Sequence, residues 1–261
     1  MLSVVFAKLI AGPLVIGATS LAGQRWGQQM AGVLAGLPSL ALLIIGIIWL
    51  EQGATFTREV IEYAPIGLFA NTTYILLLAF ASPFFKTSGT ILLALLGYVV
   101  MAIVLVHCSA QQIPYSGIYS ILFLAMAYKI IPRQNQLQAK SSLPKIELFL
   151  RMALAAALIL VLSLTAPRVG ASYSGIFTGF PVASLILPAF TLALQGRSAL
   201  LHQLRGFVLG LIGFAVCFLL WPLGISQWGF AALIPALLAA VCCTASLHLI
   251  AQRRTLESQH V

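Results

Sequence analysis

No charged residue stands between Arg25 and Glu51, and comparable apolar runs recur along the chain, each about the 20 residues that a helix needs to cross a bilayer. That length dictates the fold class. Backbone amides and carbonyls cannot be left unpaired in hydrocarbon, so a spanning segment is either a helix or a strand of a closed barrel. The runs show no period-2 alternation of apolar and polar residues, which removes the barrel. The chain reads as all-α, a polytopic membrane helical bundle. With 61% hydrophobic and 7% charged residues, it lies far outside the range of water-soluble domains.

Runs of 17 to 25 apolar residues place spans near 2–22, 30–50, 65–82, 88–107, 113–131, 146–166, 172–194, 206–221 and 228–250, about nine transmembrane helices. The first run lacks a basic flank and is interrupted by Lys8, so it reads as a span and not as a cleaved signal peptide. Trp26, Trp49, Trp221 and Trp228 fall at span ends, where an aromatic belt would place them. The weakest span is the fifth, "IPYSGIYSILFLAMAYKII", which carries three tyrosines and follows a tight turn. A re-entrant segment fits it as well.

The longest basic loop, "YKIIPRQNQLQAKSSLPK", carries Lys129, Arg133, Lys140 and Lys145 and is therefore placed in the cytoplasm. Counting from it, nine spans put eleven basic residues inside and leave Lys8, Arg58 and Arg168 outside; eight spans also give eleven against three. Charge does not choose between them. Hydrophobic length and an outside position for Glu51, Glu59 and Glu62 favour nine, with the C-terminus cytoplasmic. The formal net charge of +9 thus reflects topology, because the 14 basic residues are scattered over short loops and form no soluble domain for nucleic acid.

The chain repeats itself. An offset of 143 residues aligns Arg25-to-Gly53 with Arg168-to-Gly196 without a gap and matches eight of 29 positions. They are Arg25/Arg168, Gly27/Gly170, Gly32/Gly175, Gly36/Gly179, Pro38/Pro181, Leu42/Leu185, Gln52/Gln195 and Gly53/Gly196. Arg, Gly, Pro and Gln coincide by chance far less often than apolar residues in such a composition. The same offset carries Lys8 onto Arg151, and a shift four residues shorter carries Gly67 onto Gly206 and Pro83 onto Pro222. The organisation is two four-helix repeats, residues 1–108 and 146–252, joined by a connector helix and basic loop over 109–145, with a tail at 253–261. If the fifth span crosses, the repeats are inverted, the plan of many secondary transporters; if not, they are parallel.

The repeated Gly-x-x-x-Gly-x-Pro element makes Gly32, Gly36, Pro38, Gly175, Gly179 and Pro181 candidate substrate-lining residues. Paired glycines one turn apart let another helix approach, and packing alone would explain them. The prolines add a second consequence: Pro38 strips the carbonyl of Leu34 of its donor, and Pro181 that of Phe177. Free carbonyls at membrane depth are tolerated where protein or a wet cavity satisfies them. Lys8 and Arg151 are intramembrane cations about six residues, roughly 9 Å, inside their spans. Snorkelling to the interface and binding of an anionic small molecule or lipid phosphate both account for them. Arg151 also has Glu147 one turn before it, within reach of an ion pair. Arg25 and Arg168 precede the two Gly/Pro spans, as interfacial anchors or as gate charges, and Asn71 opens "NTTY", the most polar patch inside a span.

Catalysis finds no constellation. The chain has no aspartate, its five glutamates lie at loops, span ends and the tail, and its four histidines are dispersed. Cys108, Cys217, Cys242 and Cys243 show no C-x-x-C spacing. The reading is therefore not an enzyme, with no metal and no cofactor.

The early basic residue Lys8, the Ala35-Gly36-Leu37-Pro38 stretch and Gln52-Gly53, with Thr178-Gly179-Phe180-Pro181, Gln195-Gly196 and Leu204-Arg205 in the second half, resemble the small four-span inner-membrane proteins of the GlpM family. The resemblance covers both halves but not the fifth span, and the first half lacks an equivalent of Arg205. It implies a tandem version of a multi-pass bacterial inner (plasma) membrane protein and supplies no substrate. The expectation is a secondary transporter or flippase for an anionic small solute or lipid-linked substrate, in contact with membrane lipids and compatible with a homo-oligomer. The alternative is a non-catalytic membrane subunit or scaffold of an envelope or polysaccharide-export complex.

Overall fold

A computed structural model describes residues 2–108, 116–133, 145–165 and 182–257, and every regular element among them is helical. Among these residues eight α-helices follow one another: α1 (Leu2–Trp26), α2 (Gln28–Gly36), α3 (Ser39–Ala81), α4 (Thr87–Cys108), α5 (Ser116–Ile130), α6 (Lys145–Thr165), α7 (Val182–Trp228) and α8 (Leu233–Glu257). A short 3-10 turn, Gly229–Ala232, joins the last two. Within the described residues, Gln52–Ala81, Thr87–His107 and Ala183–Arg253 are long and apolar enough to cross a membrane. The outer face of α4 exposes Leu92, Leu96, Val100 and Ile103, each more than half exposed, a surface suited to lipid and not to water.

α3 has 43 residues and α7 has 47, so a straight rod of either would run about 65 to 70 Å at 1.5 Å per residue, twice the hydrocarbon thickness. Neither is a rod. Each is broken at one residue, Gly53 (φ 78°, ψ −177°) and Gly196 (φ 80°, ψ −176°), in a region of backbone space open to glycine alone. The breaks divide α3 into limbs 39–52 and 54–81, and α7 into limbs 182–195 and 197–228.

Side-chain contacts give the direction of each limb. Ser184 meets Asn71 and Arg197 meets Ser82, so the first limb of α7 runs parallel to the second limb of α3. α5 runs parallel to that same limb, through Ser120 to Pro65 and Phe123 to Phe69. It runs antiparallel to the second limb of α7, where Gly117 lies against Leu219 while Tyr128 and Ile131 lie at Arg205. The two limbs of α7 are therefore antiparallel, and the chain reverses at Gly196. On the other side, α2 and the first limb of α3 track the second limb of α7 in parallel: Gly32 meets Gln203, Gly36 meets Gly210, Leu37 lies by Gly213, and Trp49 and Trp221 share Phe230. The chain thus reverses at Gly53 as well. α1 lies antiparallel to α2, with Gly23 against Ala31, and α8 antiparallel to the second limb of α7, with Thr244 by Gly213 and Ala232 by Gly224.

Two expectations are corrected. The stretch expected as a loop around Glu59 and Glu62 is helical from residue 54 onward, because it is amphipathic: Thr57, Val60 and Ile61 are buried while Arg58 and Glu62 pair at 3.0 Å on the exposed side. Trp221 is fully buried and does not belong to an interfacial belt. It anchors an aromatic cluster with Phe218 and Phe230. Trp26 and Trp228 are exposed, as a belt requires.

Candidate functional site

Among the described residues, α2 crosses the second limb of α7 with backbone against backbone. A Cβ added at Gly32 would strike the backbone of Gln203 and Phe207, and one at Gly36 the backbone of Phe207 and Gly210. Gly206 and Gly210 meet Gln29 and Val33 in the same way. Two Gly-x-x-x-Gly pairs therefore interlock, backbone on backbone. The structure gives Gly32 and Gly36 this packing role, since α7 fills the face a substrate would need. The partner pair Gly206-x-x-x-Gly210 carried the same spacing in the sequence, but nothing there said which helix it met.

Immediately beyond the crossing the chain breaks. Pro38 does not bend a continuous helix; it separates α2 from α3, with Leu37 extended (φ −63°, ψ 152°) and Pro38 itself outside helical geometry (φ −74°, ψ 21°). The Leu37 amide closes onto Val33 O at 3.2 Å, that of Ser39 turns to Leu37 O at 2.8 Å, and that of Leu42 to Pro38 O at 2.7 Å. Those bonds bypass Leu34, Ala35 and Gly36. Among the described residues no hydrogen bond reaches their carbonyl oxygens. The loss expected at Leu34 extends to the whole last turn of α2.

Polar side chains gather where the two halves meet. Ser184 on α7 donates to Asn71 Oδ1 on α3 at 3.1 Å, and both residues are buried. On the same two limbs, the Tyr74 and Thr191 hydroxyls are buried without a partner among the described residues. Nearer the Gly196 reversal, Gln203 donates to Gln28 at 3.2 Å and Gln28 to Gln195 at 2.9 Å, a relay of amides across the α2–α7 crossing.

Arg151 is buried in α6 and ion-paired with Glu147. Its guanidinium also lies 5.1 Å from the Phe190 ring on α7. One nitrogen, Nε, has no partner among the described residues, so an anion reaching Arg151 has to share it with Glu147. Lys8 lies within α1. Arg25 is exposed beside Trp26 at the end of α1, 5.8 Å from the ring. Arg168, Gly175, Gly179 and Pro181 fall outside the described residues. The structure thus brings together Asn71 and Ser184, sets Arg151 against Phe190 farther along the same limb of α7, and leaves Arg25 at the rim.

The residue that sequence reasoning left without a role is Arg205. It is buried, donates to Tyr128 O at 3.1 Å and Ile131 O at 2.7 Å, and lies 4.1 Å over the Tyr128 ring. It caps the C-terminal carbonyls of α5, where a cation is favoured by the helix dipole. A basic residue early in an apolar run was the available signal; its partner, a helix end more than 70 residues away, was not.

Among the described residues no group of three or more His, Cys, Asp or Glu side chains could hold a metal ion. Comparison with protein-family models, curated proteins and solved structures finds no match for this chain.

Proposed function

We propose that this protein is a multi-pass inner-membrane secondary transporter or flippase for an anionic small solute or lipid-linked substrate. It is read as nine crossings, two inverted four-helix repeats that arose by tandem duplication of a GlpM-like unit, and a cytoplasmic C-terminus. One observation carries the reading: segments matched in sequence run in opposite directions about glycines of the same conformation. The first limbs of α3 and α7 correspond and are antiparallel, and so do the second limbs. Opposed copies of one unit supply two faces that exchange roles as a substrate moves from side to side.

The substrate path is placed between the second limb of α3 and the first limb of α7. There Asn71 and Ser184 pair with each other, the buried Tyr74 and Thr191 hydroxyls have no partner among the described residues, and Arg151 is a buried cation against Phe190 of the same α7 limb. Arg25, Lys86, Arg133, Arg197 and Arg253 follow turns or helix ends on the same side as Gly196, with the Arg58–Glu62 pair near the opposite end, which supports a cytoplasmic position for the basic end.

The test uses the purified chain in proteoliposomes, with inorganic phosphate, sulfate, succinate and a fluorescent phosphatidylglycerol as probes. Protein-dependent movement of one probe, reduced severalfold in Asn71→Leu at equal incorporation, is the expected outcome. No movement of any probe, together with co-purification of a stable protein partner, overturns it in favour of a non-catalytic membrane subunit of an envelope complex.

A further inference from the structure

We infer that the break at Leu37–Pro38 is a binding site for a hard monovalent cation, Na+ or K+, held by the carbonyl oxygens of Leu34, Ala35 and Gly36 and by the Thr244 hydroxyl. The carbonyls come first. They are consecutive, lack donors among the described residues, and form the C-terminal end of α2, where the helix dipole is negative. Such an end attracts a cation and repels the anion that the rest of the molecule is suited to carry.

Thr244 supplies the independent observation. It is only 2% exposed, and its Oγ1 has no hydrogen-bond partner among the described residues. A threonine within a helix ordinarily bonds back to its own preceding turn, as Thr19, Thr57, Thr72 and Thr73 all do here. Thr244 does not. Its Oγ1 lies against Gly213, whose Cβ position is 3.3 Å from Leu37 Cδ2. The hydroxyl therefore lies on the same side of Gly213 as the Leu37 side chain, level with the break, and a side chain at 213 would fill the space between them. On the opposite side, the antiparallel register set by Gly23 against Ala31 brings Ser20 level with Leu34. The Ser20 hydroxyl is also buried and without a partner among the described residues.

The ligand class follows from the donor set. All the oxygens are neutral, which suits a singly charged ion; divalent cations draw on carboxylates, and no cluster of acidic or histidine side chains exists among the described residues. Half-helix ends and unwound carbonyls serve this purpose in transporters with discontinuous helices. The site deepens the transport reading by naming the coupling ion and rests on that reading only for the coupling. A buried water is the competing occupant, and it has no dependence on the salt supplied.

The experiment measures thermal unfolding of the full chain in lipid nanodiscs, in NaCl, KCl and choline chloride at equal ionic strength. One alkali cation is expected to raise Tm saturably above choline by about 3–6 °C. Thr244→Val, which keeps the shape and removes the oxygen, should lose the increment while unfolding cooperatively in choline. Pro38→Ala, which returns an amide to Leu34, should lose it as well. Equal Tm values in all three salts, or an increment retained in Thr244→Val, overturn the site. An increment without cation-stimulated anion uptake keeps the site and removes the transport reading; uptake indifferent to cation, with no increment, does the reverse.

Discussion

Gly53 and Gly196 adopt one conformation, φ 78° and ψ −177° at the first, φ 80° and ψ −176° at the second, and at each the chain turns back on itself with no intervening loop. Among the described residues, an added Cβ would meet nothing within 4 Å at either position. The constraint is the backbone itself, because a side chain there strains a region open to glycine.

Gly53→Ala and Gly196→Ala should therefore each destabilise the fold by about 1–3 kcal/mol although neither fills any space. Gly46→Ala, in a helix interior with only Phe230 near at 3.9 Å, should be neutral or stabilising by up to about 1 kcal/mol. Thermal unfolding in nanodiscs separates the two classes; equal effects at positions 46, 53 and 196 would remove the conformational argument.

The α2–α7 crossing predicts the opposite kind of sensitivity. Gly32→Ala and Gly210→Ala place a methyl group into backbone across the interface and should cost at least the 1–3 kcal/mol typical of overpacking, since backbone cannot rotate aside. Loss of folded protein on size exclusion would agree. Wild-type Tm in both variants would mean that the helices are not in contact.

Arg151 and Glu147 are best tested together. Removing Arg151 alone strands a buried carboxylate, a loss of about 3–5 kcal/mol, whereas Arg151→Leu with Glu147→Leu should recover most of it. Transport distinguishes the roles. If the pair only holds α6, the double variant regains uptake along with stability; if Arg151 binds the anion, stability returns and uptake does not.

Topology gives a fourth check. Epitopes inserted at the Gly27 and Gly53 reversals should report opposite sides of the membrane, with Gly27 inside. Labelling of both from one side would break the alternation on which the inverted repeats depend.

Much of this was legible before folding. The helical class, the donorless carbonyl at Leu34 and the Glu147–Arg151 pair all follow from residues close in sequence. The ends of spans were less legible: hydropathy stops where the hydrocarbon stops, so it missed the helix continuing through Arg58 and Glu62, whose backbone hydrogen bonds do not need lipid.

What the sequence by itself determined is that apolar runs of bilayer length must be helices and that Pro38 leaves the carbonyl of Leu34 without its usual donor. Only the tertiary structure decided what meets what: Gly32 and Gly36 against Gly206 and Gly210, Ser184 on Asn71, Arg205 on the end of α5, Thr244 turned toward Leu37. The reason is physical. Local geometry is set by steric limits and hydrogen bonds within a few residues, whereas a partner more than a hundred residues away is chosen by the shape and polarity of whole helix faces once they are packed together.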